Sequence, residues 1–131
     1  MSKKDKYSVL MPTYNERKNL PVMVYLIMEQ AEKHGLDFEI VIVDDNSPDG
    51  TADVCRELMK IYKNKIVLHE RAGKLGLGSA YMDGLKFCTG NYVFICDADL
   101  SHHVPFSFSM IIFFQAKVHA SFYRKTEENR L

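Results

Sequence analysis

Neither sign of charge is in excess in this chain. Lysine plus arginine and aspartate plus glutamate both number 17 in 131 residues, so the formal net charge is zero. A neutral chain has no global attraction for a phosphate backbone or an anionic membrane, and no nucleic acid is expected as a partner. Cysteine is scarce as well. Cys55, Cys88 and Cys96 stand far apart with no C-x-x-C pair, which favours buried free thiols in a reducing compartment over a redox or metal role. Long apolar runs are absent. Nothing approaches the roughly 18 residues of a membrane helix, and the polar start, residues 1–6, lacks the apolar region of a secretory leader. A cytosol-facing chain without a transmembrane segment of its own follows. There is no internal repeat and no low-complexity segment. The length suits one domain with a real core, though it is small for an enzyme with two substrates.

What is present is a regular alternation of short apolar runs and helical patterns. Residues 7–11 read as a strand stopped by Pro12. Leu20, Met23, Val24, Ile27 and Ala31 then recur at helical spacing up to Gly35. Residues 39–43 are apolar without alternation, as in a strand buried on both faces. After the turn at residues 47–50, Val54, Leu58 and Ile61 mark a second helix. Residues 65–68 form a short third strand, and a glycine-punctuated loop leads into a helix over about residues 79–87. Residues 92–96 close the series. The order β-α-β-α-β-α-β predicts an α/β fold: a parallel sheet with right-handed crossovers and helices on both faces.

Four segments at strand ends carry chemistry. Asp97-Ala98-Asp99 follows the fourth strand, and two carboxylates one residue apart can share a hard cation that takes its other oxygens from a diphosphate. Asp44-Asp45 ends the second strand. Adjacent like charges repel, so this pair asks for a cation or donor partners. In an open α/β sheet the carboxyl ends of the strands line one ligand crevice, so two acidic ends point to a single nucleotide–metal site. At the end of the first strand, Tyr14 offers an aromatic face and Glu16 an acceptor for a base or ribose. On local evidence alone the simpler reading is favoured, in which Asn15 caps the following helix. Asp49 is assigned to capping the second helix. The run Lys74-Leu75-Gly76-Leu77-Gly78-Ser79 matches no standard phosphate loop. It can still bring backbone N–H groups to an anion, with Arg71 or Lys74 adding charge, or it is only a flexible loop. His102-His103 lacks the partners a zinc site needs. A receiver domain is disfavoured, because the acid pair follows the second strand and the third ends in Leu68-His69-Glu70.

Taken together, P-T-Y-N-E, V-D-D-N-S-P-D-G-T, K-L-G-L-G-S-A-Y and D-A-D-L-S-H-H resemble the family 2 glycosyltransferases, in order and at the family's spacing over residues 7–103. Within that family the motifs are most similar to the branch that makes dolichyl phosphate mannose. The resemblance implies a Rossmann-like GT-A fold and transfer of mannose from GDP-mannose to dolichyl phosphate, with inversion at the sugar carbon, for protein glycosylation and GPI-anchor synthesis. It implies that Pro12, Tyr14 and Glu16 hold the guanosine end and that Val43 and Asp45 continue that pocket. Asp97, Ala98 and Asp99 would meet the diphosphate, with Asp97 and Asp99 as catalytic ligands of Mg2+ or Mn2+; Ser101 occupies a place where related enzymes supply another ligand. It also implies work at the cytosolic face of the endoplasmic reticulum membrane, where attachment would need an anchoring regulatory subunit or the phenylalanine-rich tail.

The motif pattern stops at His103. Residues 1–103 are expected to form the nucleotide-sugar half of the domain, and residues 104–131 a divergent phenylalanine-rich tail, with the fold incomplete at its C-terminal side. The tail's apolar part, residues 110–114, suits a fifth strand, a packing helix or an exposed segment equally. The competing expectation for function is an inactive truncated form that binds GDP or GDP-mannose or pairs with the full-length enzyme.

Overall fold

The structure is a computed structural model, and residues 5–98 are described. Seven elements alternate along them: β1 (Lys6–Thr13), α1 (Leu20–Lys33), β2 (Asp37–Asp44), α2 (Thr51–Ile61), β3 (Ile66–Glu70), α3 (Leu77–Leu85) and β4 (Tyr92–Ile95). All three strand pairings are parallel, and the strand order is β3-β2-β1-β4. The chain therefore steps outward from β1 to β3, then crosses back to place β4 on the other side of β1. Right-handed crossovers running in opposite directions put their helices on opposite faces.

The packing shows this division. Val9, Met11, Ile40 and Ile42 pack with Leu20, Met23, Val24 and Ile27 of α1 and with Cys55 and Leu58 of α2. Leu10, Val41 and Val43 point the other way, against Ala80 of α3, Cys88 and Val93. Successive strand residues feed two cores, so an unbroken apolar run is what a central strand needs. Gly84 lets α3 lie close to the sheet. A Cβ there would stand 2.8 Å from Val43 Cγ2 and would strike the Leu10 side chain.

At the amino end of the sheet, Glu39 is buried and serves as a fastener. Its Oε1 accepts from Ser8 Oγ (2.7 Å), Thr89 N (2.6 Å) and Thr89 Oγ1 (2.9 Å), and Lys6 Nζ lies 3.7 Å from Oε2. Gly90 N donates to Ser8 Oγ at 2.9 Å, so the turn before β4 is pinned to β1.

Several expectations need adjusting. Pro12 does not stop β1, which continues to Thr13 with Pro12 opposite Val43. The Leu10 carbonyl accepts from Cys96 N, so two residues on, Pro12 turns its ring nitrogen toward the same β4 side, beyond the last paired residue of β4. No ladder bond is lost there, which is why a proline is tolerated. Asn15 does not cap α1. It adopts a left-handed conformation (φ 55°), and the cap position belongs to Asn19. The third helix starts at Leu77 rather than near residue 79. The third strand runs to Glu70, two residues past the expected end. Gly35, the expected stop of α1, has φ 62° and follows its last turn.

Candidate nucleotide-sugar site

The carboxyl ends of β1, β2 and β3 are in register, with Thr13 opposite Asp44 and Asp44 opposite Glu70. On the other flank, β4 ends at Ile95 and delivers Asp97 beside β1. This is the point where the strand order reverses, the place at which open α/β sheets take ligands.

The two loops that follow β1 and β2 are tied together by hydrogen bonds. Asn15 N donates to Ser47 Oγ (2.9 Å), Glu16 N to Thr51 Oγ1 (3.0 Å) and Arg17 N to Asp49 Oδ2 (3.1 Å). Asp49 also accepts from Thr51 N (3.0 Å) and from the Thr51 hydroxyl, so it braces the start of α2 from one residue before the cap; the cap position itself belongs to Gly50, which has no side chain to bond, so Asp49 is not the cap expected of it. Burial raises the Asp49 pKa, but the hydrogen bonds from Thr51 and from the Arg17 backbone outweigh it and hold the carboxyl below its usual range. An open cleft of about 490 Å³ lies against this pair of loops, lined by Asn15, Arg17, Lys18, Asn19 and Asp49.

The repulsion expected between Asp44 and Asp45 is answered by separate donors. Asp44 is buried and accepts from Thr13 Oγ1 (2.8 Å), Ser47 Oγ (2.7 Å) and Ser47 N (3.1 Å). Its charge, after burial itself, helps push the neighbouring Cys55 thiol up to about 12, which leaves that cysteine unreactive. Asp45 turns the other way and meets Arg71 in a bidentate pair, Nε to Oδ1 at 2.6 Å and Nη2 to Oδ2 at 2.9 Å. The same guanidinium reaches Ser79 Oγ (2.7 Å), Asp83 Oδ2 (3.2 Å) and the Gly76 carbonyl (3.1 Å). Hydrogen bonding to Asp45 comes first among the causes that raise the Arg71 pKa further, and the Arg71 bond likewise holds Asp83 below the usual carboxylate range. Arg71 therefore fastens the glycine loop and the start of α3 to the end of β2. Its guanidinium is engaged by five protein contacts rather than held out as a spare positive charge.

The remaining residues sort by exposure. Tyr14 is 39% exposed, with Lys74 Nζ 4.7 Å from its ring centroid. Glu16 accepts from Asn19 Nδ2 at 2.9 Å. The Val43 side chain is fully buried in the α3-side core, so anything it gives to a ligand comes from its backbone. Ala98 is buried among the α1-side core residues. Asp97 is exposed, and it acts on Tyr81, whose hydroxyl is pushed up first by burial and then by the Asp97 charge. Asp99 and Ser101 lie outside the described residues. Among the described residues no three of His, Cys, Asp and Glu converge as a metal cluster. A cation shared with a diphosphate asks for less: one or two carboxylates, with waters and phosphate oxygens completing the shell. The exposed Asp97 carboxylate is a hard oxygen donor of the right kind. Asp44 and Asp45, already held by protein donors, are not.

The Asp45–Arg71 pair was not legible in the sequence, since its partners are 26 residues apart. The signal the sequence did hold is an arginine directly after the third strand, beside an acid that ends the second.

The sequence model of the family described as glycosyl transferase family 2 matches residues 8–128. A dolichol-phosphate mannosyltransferase of Pyrococcus furiosus is 42% identical over 97 residues, which cover 74% of this chain and 26% of that protein. A polyprenol monophosphomannose synthase of Mycolicibacterium smegmatis is 38% identical over 97 residues, covering 72% of this chain and 35% of that one. Among solved structures, a mannosyltransferase from Pyrobaculum calidifontis in complex with GDP-Man and Mn2+ superposes with a TM-score of 0.73 at 26% identity, covering 89% of this chain and 34% of that one. The chain thus spans between a quarter and about a third of the length of these relatives. With the α/β sheet, the switch-point site and the matched residues in agreement, the chain belongs to glycosyl transferase family 2.

Proposed function

We propose that the carboxyl end of the sheet binds a nucleoside diphosphate sugar, and that the chain carries the donor half of an enzyme moving mannose from GDP-mannose to a polyprenol phosphate, specifically dolichyl phosphate. The observation that carries this reading is the division of labour among the acids. Asp44 and Asp45 are spent on building the crevice, and Asp97 alone among the three is exposed, beside β1 at the switch point. Relatives named for mannosyl transfer to dolichol or polyprenol phosphate support the choice of sugar and acceptor.

In this reading Tyr14 and Glu16 meet the guanosine end, on a loop held rigid by its bonds to Ser47, Asp49 and Thr51. Pro12 and the backbone of Val43 form its floor, with Asp45 held in place by Arg71. Asp97 and Asp99 would hold Mg2+ or Mn2+, which supplies charge stabilisation for the departing diphosphate. The acceptor phosphate is already an anion at neutral pH, so positioning rather than a strong base is what the protein must provide. The same reading places the work at the cytosolic face of the endoplasmic reticulum membrane, with attachment through an anchoring partner subunit.

The test is Asp97→Asn and Asp99→Asn, each titrated with GDP in the presence of Mn2+. Loss of metal-dependent binding at an unchanged unfolding midpoint is the expected result. A folded variant that binds GDP as the unaltered chain does would remove the Asp-x-Asp assignment.

A further inference from the structure

The loop between β3 and α3 has a fixed base and a free tip. At its base, Arg71 N donates to the Asp44 carbonyl (2.8 Å), while the Arg71 guanidinium binds Asp45 and closes the loop on itself through the Gly76 carbonyl (3.1 Å). Gly76 sits at φ 99°, a conformation an L side chain rarely adopts, where the loop turns into α3. At the tip Leu75 is 62% exposed. Beside it, Lys74 lays its ammonium over the Tyr14 ring, 4.7 Å from the centroid. That ring face is the surface on which a base would stack. An exposed cation–π contact is weak enough for a ligand to displace, at a cost of about two- to fivefold in affinity.

We infer that Lys74 is a ligand-operated latch: its ammonium lies over the Tyr14 ring until a nucleotide displaces it, and then passes to the diphosphate. The inference rests on the nucleotide reading proposed above. Its physical basis is that one ammonium has two mutually exclusive partners. The ring offers a weak contact, and a diphosphate offers a charge-assisted bond, worth about tenfold or more in binding, that outweighs it. The base of the loop is fixed by Arg71, so only the tip has to move.

Two effects of opposite sign follow for Lys74→Met. Guanosine, which has no phosphate, should bind about two- to fivefold more tightly, because nothing competes for the ring. GDP with Mn2+ should bind more weakly, by about threefold to a few tens of fold, because the lost phosphate bond outweighs the two- to fivefold gained at the ring. Lys74→Arg should restore GDP binding, since a guanidinium both stacks on aromatic rings and pairs with phosphate. Both ligands are measured by ligand-observed NMR on the full chain, with the unfolding midpoint recorded for each variant. Equal weakening of guanosine and GDP, or no change in either, at an unchanged midpoint overturns the latch. Failure of the unaltered chain to bind GDP would instead overturn the nucleotide reading, and the latch with it.

Discussion

At the scale of single residues, the Asp44-Asp45 pair shows how a sequence signal divides into two jobs. One carboxylate shapes a turn and the other holds Arg71, and both depend on partners distant in sequence. The Arg71 side chain is 2% exposed and that of Asp45 10%. Removing one member of such a pair leaves an uncompensated charge, so Arg71→Ala should cost about 3 kcal/mol or more in urea unfolding. Arg71→Lys should recover only part of it, because an ammonium cannot reproduce the bidentate fork. Glu39 makes a pH prediction. Burial raises its pKa, but the bonds from Thr89 and Ser8 and the nearby Lys6 charge prevail, and the carboxyl titrates below its usual value of 4.5. A lowered folded value means the contribution is complete above pH 4.5 and is lost as pH falls through the folded value. Glu39→Gln, followed by urea midpoints at pH 7 and at about pH 3, should show a shallower acid loss than the unaltered chain.

At the scale of elements, glycines mark where backbones come closest. A Cβ on Gly90 would lie 2.8 Å from the Lys6 carbonyl and 2.8 Å from Ser8 N, backbone atoms that cannot move aside. A Cβ on Gly84 meets side-chain methyls of Leu10 and Val43, and the helix gains about 1 kcal/mol of propensity from alanine. Gly90→Ala should therefore destabilise by about 2–3 kcal/mol, and Gly84→Ala by less, in thermal unfolding of the two variants. Element order was readable from the sequence because the buried strands are continuous apolar runs and the helices carry a 3.6 period, as in residues 20–31. Ends were less readable. Pro12 looks like a stop until it is known that its nitrogen faces the β4 side beyond the last paired residue among those described, and Asn15 looks like a cap until Ser47 is seen to take its N–H. The site followed the same rule. Its acids could be named from strand ends, but which acid is exposed depends on Thr13, Ser47 and Arg71, whose placement only the folded sheet reveals.

At the scale of the whole molecule, a neutral chain has no general electrostatic pull on the anionic donor proposed for it, so the proposal requires local devices at the carboxyl end of the sheet. Metal dependence is the signature of such a device, because a site built around an exposed carboxylate gains little from a diphosphate without a cation between them. Saturating GDP-mannose with Mn2+ should raise the unfolding midpoint, as any ligand specific for the folded state does. The most direct measurement is a calorimetric titration of the purified chain with GDP-mannose, first with Mn2+ and then with EDTA. Saturable binding that EDTA abolishes is the expected result. A folded chain that binds no GDP-mannose, or binds it equally well in EDTA, would contradict a metal-dependent donor site at the Asp97 strand end.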